Sequence, residues 1–185
     1  MILVLSTSSS ISSIAWIDEG VLIWSGEMEA PRSASHAVLS LLEESKILLS
    51  VAAGIVADLG PGSMTGVKVG VTLAKTWGFA LGVHCAGITA FDLIDPTGPV
   101  VVTPRRGEHW VRHPGEDPRR LTADEIGQDQ ILDLIARSRT PKASNALGLK
   151  EKLDWIAPQG LVPLYLSDPL ISQAKKRLTL LEPRL

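Results

Sequence analysis

The residues best placed by type and spacing to do chemistry are Gly60-Pro61-Gly62-Ser63-Met64-Thr65-Gly66. They follow Gly54–Asp58, which reads as a buried strand, and precede Val67–Leu81, which reads as a helix. Glycine permits positive φ and close backbone approach, and the free amides of a helix start favour an anion. A phosphate-binding loop is one reading of this turn; a tight strand-to-helix connection without ligand is the other, and local physics leaves both open. The spacing is not that of a Walker A loop, which needs four residues between its glycines and then Lys-Ser/Thr. Here three residues separate Gly62 from Gly66, and Val67 stands before Lys68. The glycines do not fit a dinucleotide fingerprint either.

Other constellations carry less. His109 and His113 have a spacing that could join two ligands on a helix. His109, however, falls in an expected strand, where four residues span about 13 Å, and Pro114 follows His113. His84-Cys85 lies in an expected buried strand, a core position rather than a nucleophile. Asp124, Glu125, Asp129 and Asp133 read as the solvated face of a helix. Lys175-Lys176-Arg177 reads as a solvated tail, with nucleic-acid phosphate the alternative partner. There is no GxSxG elbow and no HExxH pair. No catalytic residue and no metal site is assigned.

The elements that must position these residues begin with a meander: strands Met1–Leu5, Ile11–Ile17 and Val21–Met28, joined by the polar turn Ser6–Ser10 and the hairpin turn Asp18-Glu19-Gly20. Ser33 or Ser35 can cap a helix to about Ser50, with Val38, Leu41, Leu42, Ile47, Leu48 and Leu49 on its apolar side. Strand Gly54–Asp58, the helix Val67–Leu81 and a short strand Val83–Cys85 follow. Asp95-Pro96-Thr97-Gly98-Pro99 is the candidate boundary. Beyond it come a strand pair, Val100–Thr103 and His109–Val111, a loop His113–Arg120, and a helix Ala123–Arg137 capped by Thr122. This order indicates α/β with a mixed sheet.

Within the second helix Gly66, Gly70, Ala74, Gly78 and Gly82 recur every four residues, a slowly drifting ridge with almost no side chain. Interior glycines cost roughly 0.5–1 kcal/mol each against alanine, so close packing must offset them. The partner is either the chain's own sheet or a helix of a second subunit.

The chain has 185 residues, 45% hydrophobic and 21% charged, which implies a packed fold. Its formal net charge of −2 argues against a dominant nucleic-acid footprint. Residues 1–95 hold four Lys/Arg and nine Asp/Glu, net −5, and the remainder carries +3. A first half so poor in charge is either well buried or meant for a partner. No apolar run reaches the roughly 18 residues of a spanning helix, the N-terminus lacks the basic flank of a signal peptide, and Cys85 is the one cysteine. The expectation is a cytoplasmic protein with no membrane association.

The run Gly60-Pro61-Gly62-Ser63-Met64-Thr65-Gly66-Val67-Lys68-Val69-Gly70 resembles the GPGSFTGLRIG signature of the TsaB (YeaZ) family, with Met64 for its aromatic and Lys68 for its arginine. The match extends in order. Leu5-Ser6-Thr7-Ser8 stands where the family has Asp-Thr-Ser. Pro31-Arg32 precedes the first helix. Gly82-Val83 and Gly87-Ile88-Thr89-Ala90 resemble the segments after the second helix. Arg105-Arg106-Gly107-Glu108-His109-Trp110 resembles the DAR-x-GE-x-Tyr segment, and Pro163-Leu164-Tyr165-Leu166-Ser167-Asp168-Pro169 the C-terminal P-x-YLR-x-P.

The resemblance implies an actin/Hsp70-like (ASKHA, RNase H-like) α/β fold of two lobes with mixed sheets, the second lobe trimmed in this diverged, short member. Residues 1–95 would form the N-terminal lobe with the docking helices, and 96–185 the smaller lobe. It implies a non-catalytic subunit of the complex that modifies adenosine 37 of tRNA with threonylcarbamoyl, docked on a TsaD-type catalytic subunit. A TsaE-type ATPase joins that complex, tRNA is reached indirectly, and some members form homodimers. The partner interface is expected at Val38, Leu41, Leu42, Ser45, Gly66, Gly70, Ala74, Trp77 and Gly78, so that Gly78→Leu would abolish docking yet leave a folded monomer. Ser6, Thr7, Gly60, Gly62, Ser63, Thr65 and Lys68 are the candidates for nucleotide contact at the joint interface, with ATP or ADP and magnesium held only within the complex. Two departures stand out. Ser6 replaces the acid that, in kinases of this architecture, positions metal and phosphate, and a serine cannot supply that charge; Thr103-Pro104 stand where the DAR segment begins with its acid. The rival reading is a small ATP-dependent kinase or transferase of the same architecture using Gly60–Gly66 for phosphate.

Overall fold

Leu3 and Leu5 point to one side of the first strand and Val4 to the other, and all three are buried. A strand apolar on both faces must lie inside a sheet covered twice. The computed structural model, which describes residues 1–105, 107–137 and 140–166, places it so. β1 (Ile2–Ser6) is central in a five-stranded sheet of order β3-β2-β1-β4-β5. It pairs antiparallel with β2 (Ile11–Asp18), which pairs antiparallel with β3 (Val21–Glu29). On its other side it runs parallel to β4 (Gly54–Asp58), and β4 parallel to β5 (His84–Ile88). Glu19 (φ 45°) and Gly20 (φ 83°) make the two-residue β2–β3 turn, whose paired positive φ values match the twist of a hairpin.

Helices α1 (Ala34–Ser45) and α2 (Met64–Leu81) cover one face of this sheet, packing on Leu3, Leu5, Ile14, Trp16, Ile55 and Cys85. The other face, with Val4, Ala15, Val56 and Ala86, is covered from the C-terminal half. Ala143, Ala146 and Leu149 of a 3₁₀ segment (Ala143–Lys152) pack there with Leu93 of α3 (Ala90–Ile94). A second sheet, β6 (Val100–Arg105), β7 (Glu108–Arg112) and β8 (Arg119–Arg120), is antiparallel throughout. Val101, Val111 and Leu121 form its small core beneath α4 (Ala123–Ile126) and α5 (Asp129–Ala136). The mixed sheet with its helices is the expected ASKHA-like α/β fold.

Several boundaries differ from expectation. α1 stops at Ser45 rather than Ser50, because Lys46 turns left-handed (φ 56°) and donates its amide to Glu43 O. α2 begins at Met64, three residues early, because the Ser63 hydroxyl caps it. The strand expected over Val83–Cys85 is His84–Ile88, and α3 follows it, capped by Thr89. The helix expected over Ala123–Arg137 breaks at Gly127-Gln128 into α4 and α5. β8 lies in the stretch read as loop. Ser167, Asp168, Pro169 and Lys175-Lys176-Arg177 lie outside the described residues, as does Arg106.

Candidate functional site

The β1–β2 turn and the glycine-rich turn meet over the C-terminal end of β4. Asp58, the last residue of that strand, is fully buried. Its Oδ2 accepts from Ser8 Oγ at 2.5 Å and Ser6 Oγ at 2.9 Å, and its Oδ1 from the Gly60 amide at 2.8 Å. Burial pushes the Asp58 carboxyl above the usual range, and these hydrogen bonds only partly oppose it. Asp58 is not among the residues expected at the site. An acid ending an apolar strand, one residue before a glycine-rich turn, is the signal that could have found it.

The glycines of the turn are occupied by the chain itself. Gly60 needs its positive φ of 86° and is joined to Pro61 by a cis bond. A Cβ on Gly62 would strike Ser8 O, and one on Gly66 would strike Thr7 O. The Ser63 amide donates to Ser8 O at 2.6 Å, the Val67 amide to Ser63 O at 2.9 Å, and the Gly66 amide to Ser63 Oγ at 3.3 Å. Thr7 Oγ1 donates to Gly66 O at 2.8 Å. Three donors that an anion would need at the turn and helix start are therefore committed internally.

Of the residues expected at a nucleotide, Gly62 and Ser63 line a cleft of about 470 Å³ between the two sheets. Ser8, Ser9, Ser10, Thr103 and Thr140 add hydroxyls to its wall, and Arg32 adds a guanidinium. Ser6 and Thr7 are buried and bonded internally, while Thr65 and Lys68 are exposed on α2 and do not line the cleft. None of the lining residues is acidic. The two residues standing where the family carries acids, Ser6 and Thr103, donate to Asp58 and approach His109 Nδ1 at 2.8 Å respectively. Hydroxyls and Arg32 could meet an anion here, but the wall offers magnesium no carboxylate, and the residues present do not fit that ion. Among the described residues no group of three or more His, Cys, Asp or Glu is placed to hold a metal. The Cys85 thiol is buried and points at Ala74 O, and burial pushes it up against the weaker pull of Lys75.

The expected partner interface is corrected by the packing. Val38, Leu41, Ser45, Gly66, Gly70, Ala74 and Gly78 are buried within the chain, and Leu42 and Trp77 are half-buried against the same core. The ridge of small residues faces inward. A Cβ on Gly70 would strike Thr7 Oγ1, and one on Gly78 would meet Cys85 Sγ at 2.5 Å and Pro158 at 3.0 Å. A ridge without side chains lets the helix lie against Thr7 at the end of β1 and Cys85 of β5, the first of the two readings of its spacing. The outward face of α2 carries Thr65, Lys68, Thr72, Thr76, Phe79 and Ala80 instead. Phe79 is 74% exposed, and Leu39 on α1 is 48% exposed.

Residues 32–94, from the entry to α1 through α3, match the family model described as TsaD, tRNA N6-adenosine threonylcarbamoyltransferase. The chain is 37% identical over 65 residues to the tRNA threonylcarbamoyladenosine biosynthesis protein TsaB of Bacillus subtilis, covering 35% of this chain and 28% of that protein. An uncharacterized protein of Mycobacterium leprae is 30% identical over 155 residues, covering 71% of this chain; the chain spans only 43% of that relative's length. An uncharacterized protein of Mycobacterium tuberculosis is 26% identical over 198 residues, covering 91% of this chain and 92% of the relative. Among solved structures, YeaZ from Pseudomonas aeruginosa superposes with a TM-score of 0.70 at 19% identity, covering 89% of this chain and 99% of that one. An uncharacterized protein with similarity to peptidase YeaZ from Pseudomonas aeruginosa gives 0.73 at 18% identity, with 90% and 99% covered.

Proposed function

We propose that the chain is a member of the TsaB (YeaZ) family and serves tRNA threonylcarbamoyladenosine biosynthesis as a non-catalytic subunit docked on a TsaD-type partner. The observation that carries the reading is the outward face of α2. Along its 18 residues the only charges are Lys68 and Lys75, and the Lys75 ammonium is already held by the carbonyls of Gln159 and Leu161. The remaining exposed positions are Thr65, Thr72, Thr76, Phe79 and Ala80. Burying a phenylalanine contributes about 1.5–3 kcal/mol, and an uncharged centre is what partner interfaces select. Docking would then proceed by hydrophobic burial of Phe79 and Leu39, with the buried glycine ridge holding α2 rigidly beneath. The same face would serve a second copy of the chain. Within the assembly, a TsaE-type ATPase, ATP or ADP with magnesium, and tRNA would be met through the partner, and the setting would be the cytoplasm.

A kinase or transferase acting alone is the second reading, favoured by the cleft of about 470 Å³ with Arg32 and its hydroxyls. Calorimetry separates the two. The subunit reading expects no heat from magnesium-ATP with the isolated chain and saturable binding of a TsaD-type protein. Micromolar nucleotide binding by the chain alone, with no association, would reject it.

A further inference from the structure

We propose that Asp58, Ser6 and the Pro141 carbonyl form a proton-operated tether that fastens the returning C-terminal segment to the first sheet. The Ser6 hydroxyl has one proton to donate, yet Ser6 Oγ stands 2.9 Å from Asp58 Oδ2 and 3.2 Å from Pro141 O. Both contacts are made at once only when Asp58 carries a proton on Oδ2 and donates it to Ser6 Oγ, leaving the Ser6 proton for Pro141. When Asp58 gives that proton to solvent, Ser6 must donate to the carboxylate and the Pro141 carbonyl loses this donor. Ser8 and the Gly60 amide donate to Asp58 in both states. Burial favours the protonated form.

The position gives the tether consequence. Thr140 and Pro141 line the interlobe cleft beside Ser8. Immediately afterwards the chain enters the 3₁₀ segment covering the second face of the sheet, where the Lys142 amide donates to Leu93 O at 3.2 Å and the Ala143 amide to Ser13 Oγ at 2.9 Å.

Among the described residues no other charge from the packed elements is turned on Asp58. On α3, Asp92 is held by Thr89 and Arg112. Lys142 bridges Glu27 at 2.7 Å. On α2, Lys68 is exposed and Lys75 is bonded to Gln159 and Leu161. His84 lies at the far end of β5, paired with Gly54, whereas Asp58 pairs with Ile88. Arg32 is exposed at the cleft, and on the segment from Leu161 to Leu166 the one ionisable side chain is the exposed Tyr165.

Amide hydrogen exchange on the full chain tests the tether, read as protection factors corrected for the intrinsic pH dependence of exchange, alongside the ¹³C titration of the Asp58 carboxyl. Protection of the Lys142 and Ala143 amides should fall roughly two- to tenfold, the worth of one neutral hydrogen bond, with the midpoint of that titration. Amides of β1 and β4 should hold constant. Ser6→Ala should show the lower protection at every pH, and Asp58→Asn, whose amide still donates to Ser6, the higher. The proposal is overturned if Ser6→Ala keeps the parent protection and pH profile. It is equally overturned if the core amides shift by the same factor, which would mark a global effect. Should Asp58→Asn not fold, Ser6→Ala alone decides.

Discussion

At Gly62 and Gly66 the obstacle opposite is backbone, Ser8 O and Thr7 O, rather than a side chain that could turn aside. Gly66→Ala should therefore cost at least the roughly 1–3 kcal/mol typical of overpacking, read as a lowered denaturation midpoint. Gly78→Leu should fail to give a folded monomer, since its side chain would enter the space of Cys85 Sγ and Pro158; a stable monomer that no longer binds its partner would restore the outward ridge. The fourfold spacing was legible because only small residues satisfy it. Which way the ridge faced was not, because glycines carry no apolar stripe to orient the helix. Asp58 showed only as an acid beside the glycine-rich turn, because its burial also needs Ser6 and Ser8, 52 and 50 residues away in sequence. Its folded carboxyl lies above the ordinary value of about 3.9 for an unfolded aspartate. The native state thus binds more protons than the unfolded one between those two values. The stability contributed by Asp58 is full below about pH 3.9 and is lost as pH rises through the folded value. Asp58→Asn should flatten that part of the stability profile, measured by urea unfolding across pH. An unchanged slope would show that the carboxyl ionises freely.

At the scale of elements, α2 combines a closely packed inner side with an outer side free of salt bridges among the described residues, and only the first is needed for folding. Phe79→Glu should leave stability within about 0.5 kcal/mol, as for exposed sites without partners, while removing association with a TsaD-type protein in co-purification. Retained association would move the docking surface elsewhere. The strands β1–β4 were legible because each alternates or runs apolar between turn residues. The misreadings have local causes. Lys46 adopts a left-handed cap that no glycine announces. At the other end of the chain, Thr122 and Glu125 close a capping box on a helix only four residues long. Arg119 and the Thr122 hydrogen bonds hold the Glu125 carboxyl down to about 2. That capping box starts the turn, and Gly127 ends it before α5. β8, two residues long, is defined by its partners Trp110 and Val111 rather than by any pattern of its own.

For the whole molecule, the two faces of the main sheet draw their cover from different parts of the chain. The first is covered by α1 and α2, which the N-terminal half supplies. The second depends on residues beyond the small sheet: Ala143, Ala146 and Leu149 seal Val4, Ala15, Val56 and Ala86, and the Trp155 ring takes the place of a side chain over Gly54. The return is fastened by backbone bonds of Cys85 with Ile156, both 2.9 Å, and from the Leu164 amide to Leu59 O at 2.9 Å. Composition signalled a first half poor in charge, but not that its own C-terminal half would bury much of it. A fragment ending at Asp95 therefore keeps every strand of the main sheet and loses the cover of one face. One apolar face of its sheet is then left wet, without the layer that covers it in the full chain. It should retain helical and strand signal in the far ultraviolet, lose the near-ultraviolet signal of Trp16 and Trp24, and bind a hydrophobic dye, as loosely packed states do. The full chain should unfold cooperatively under the same conditions. Cooperative unfolding of the fragment with its tryptophan signal intact would mean that α1 and α2 suffice to fix the sheet, and that the returning segment serves the cleft rather than the core.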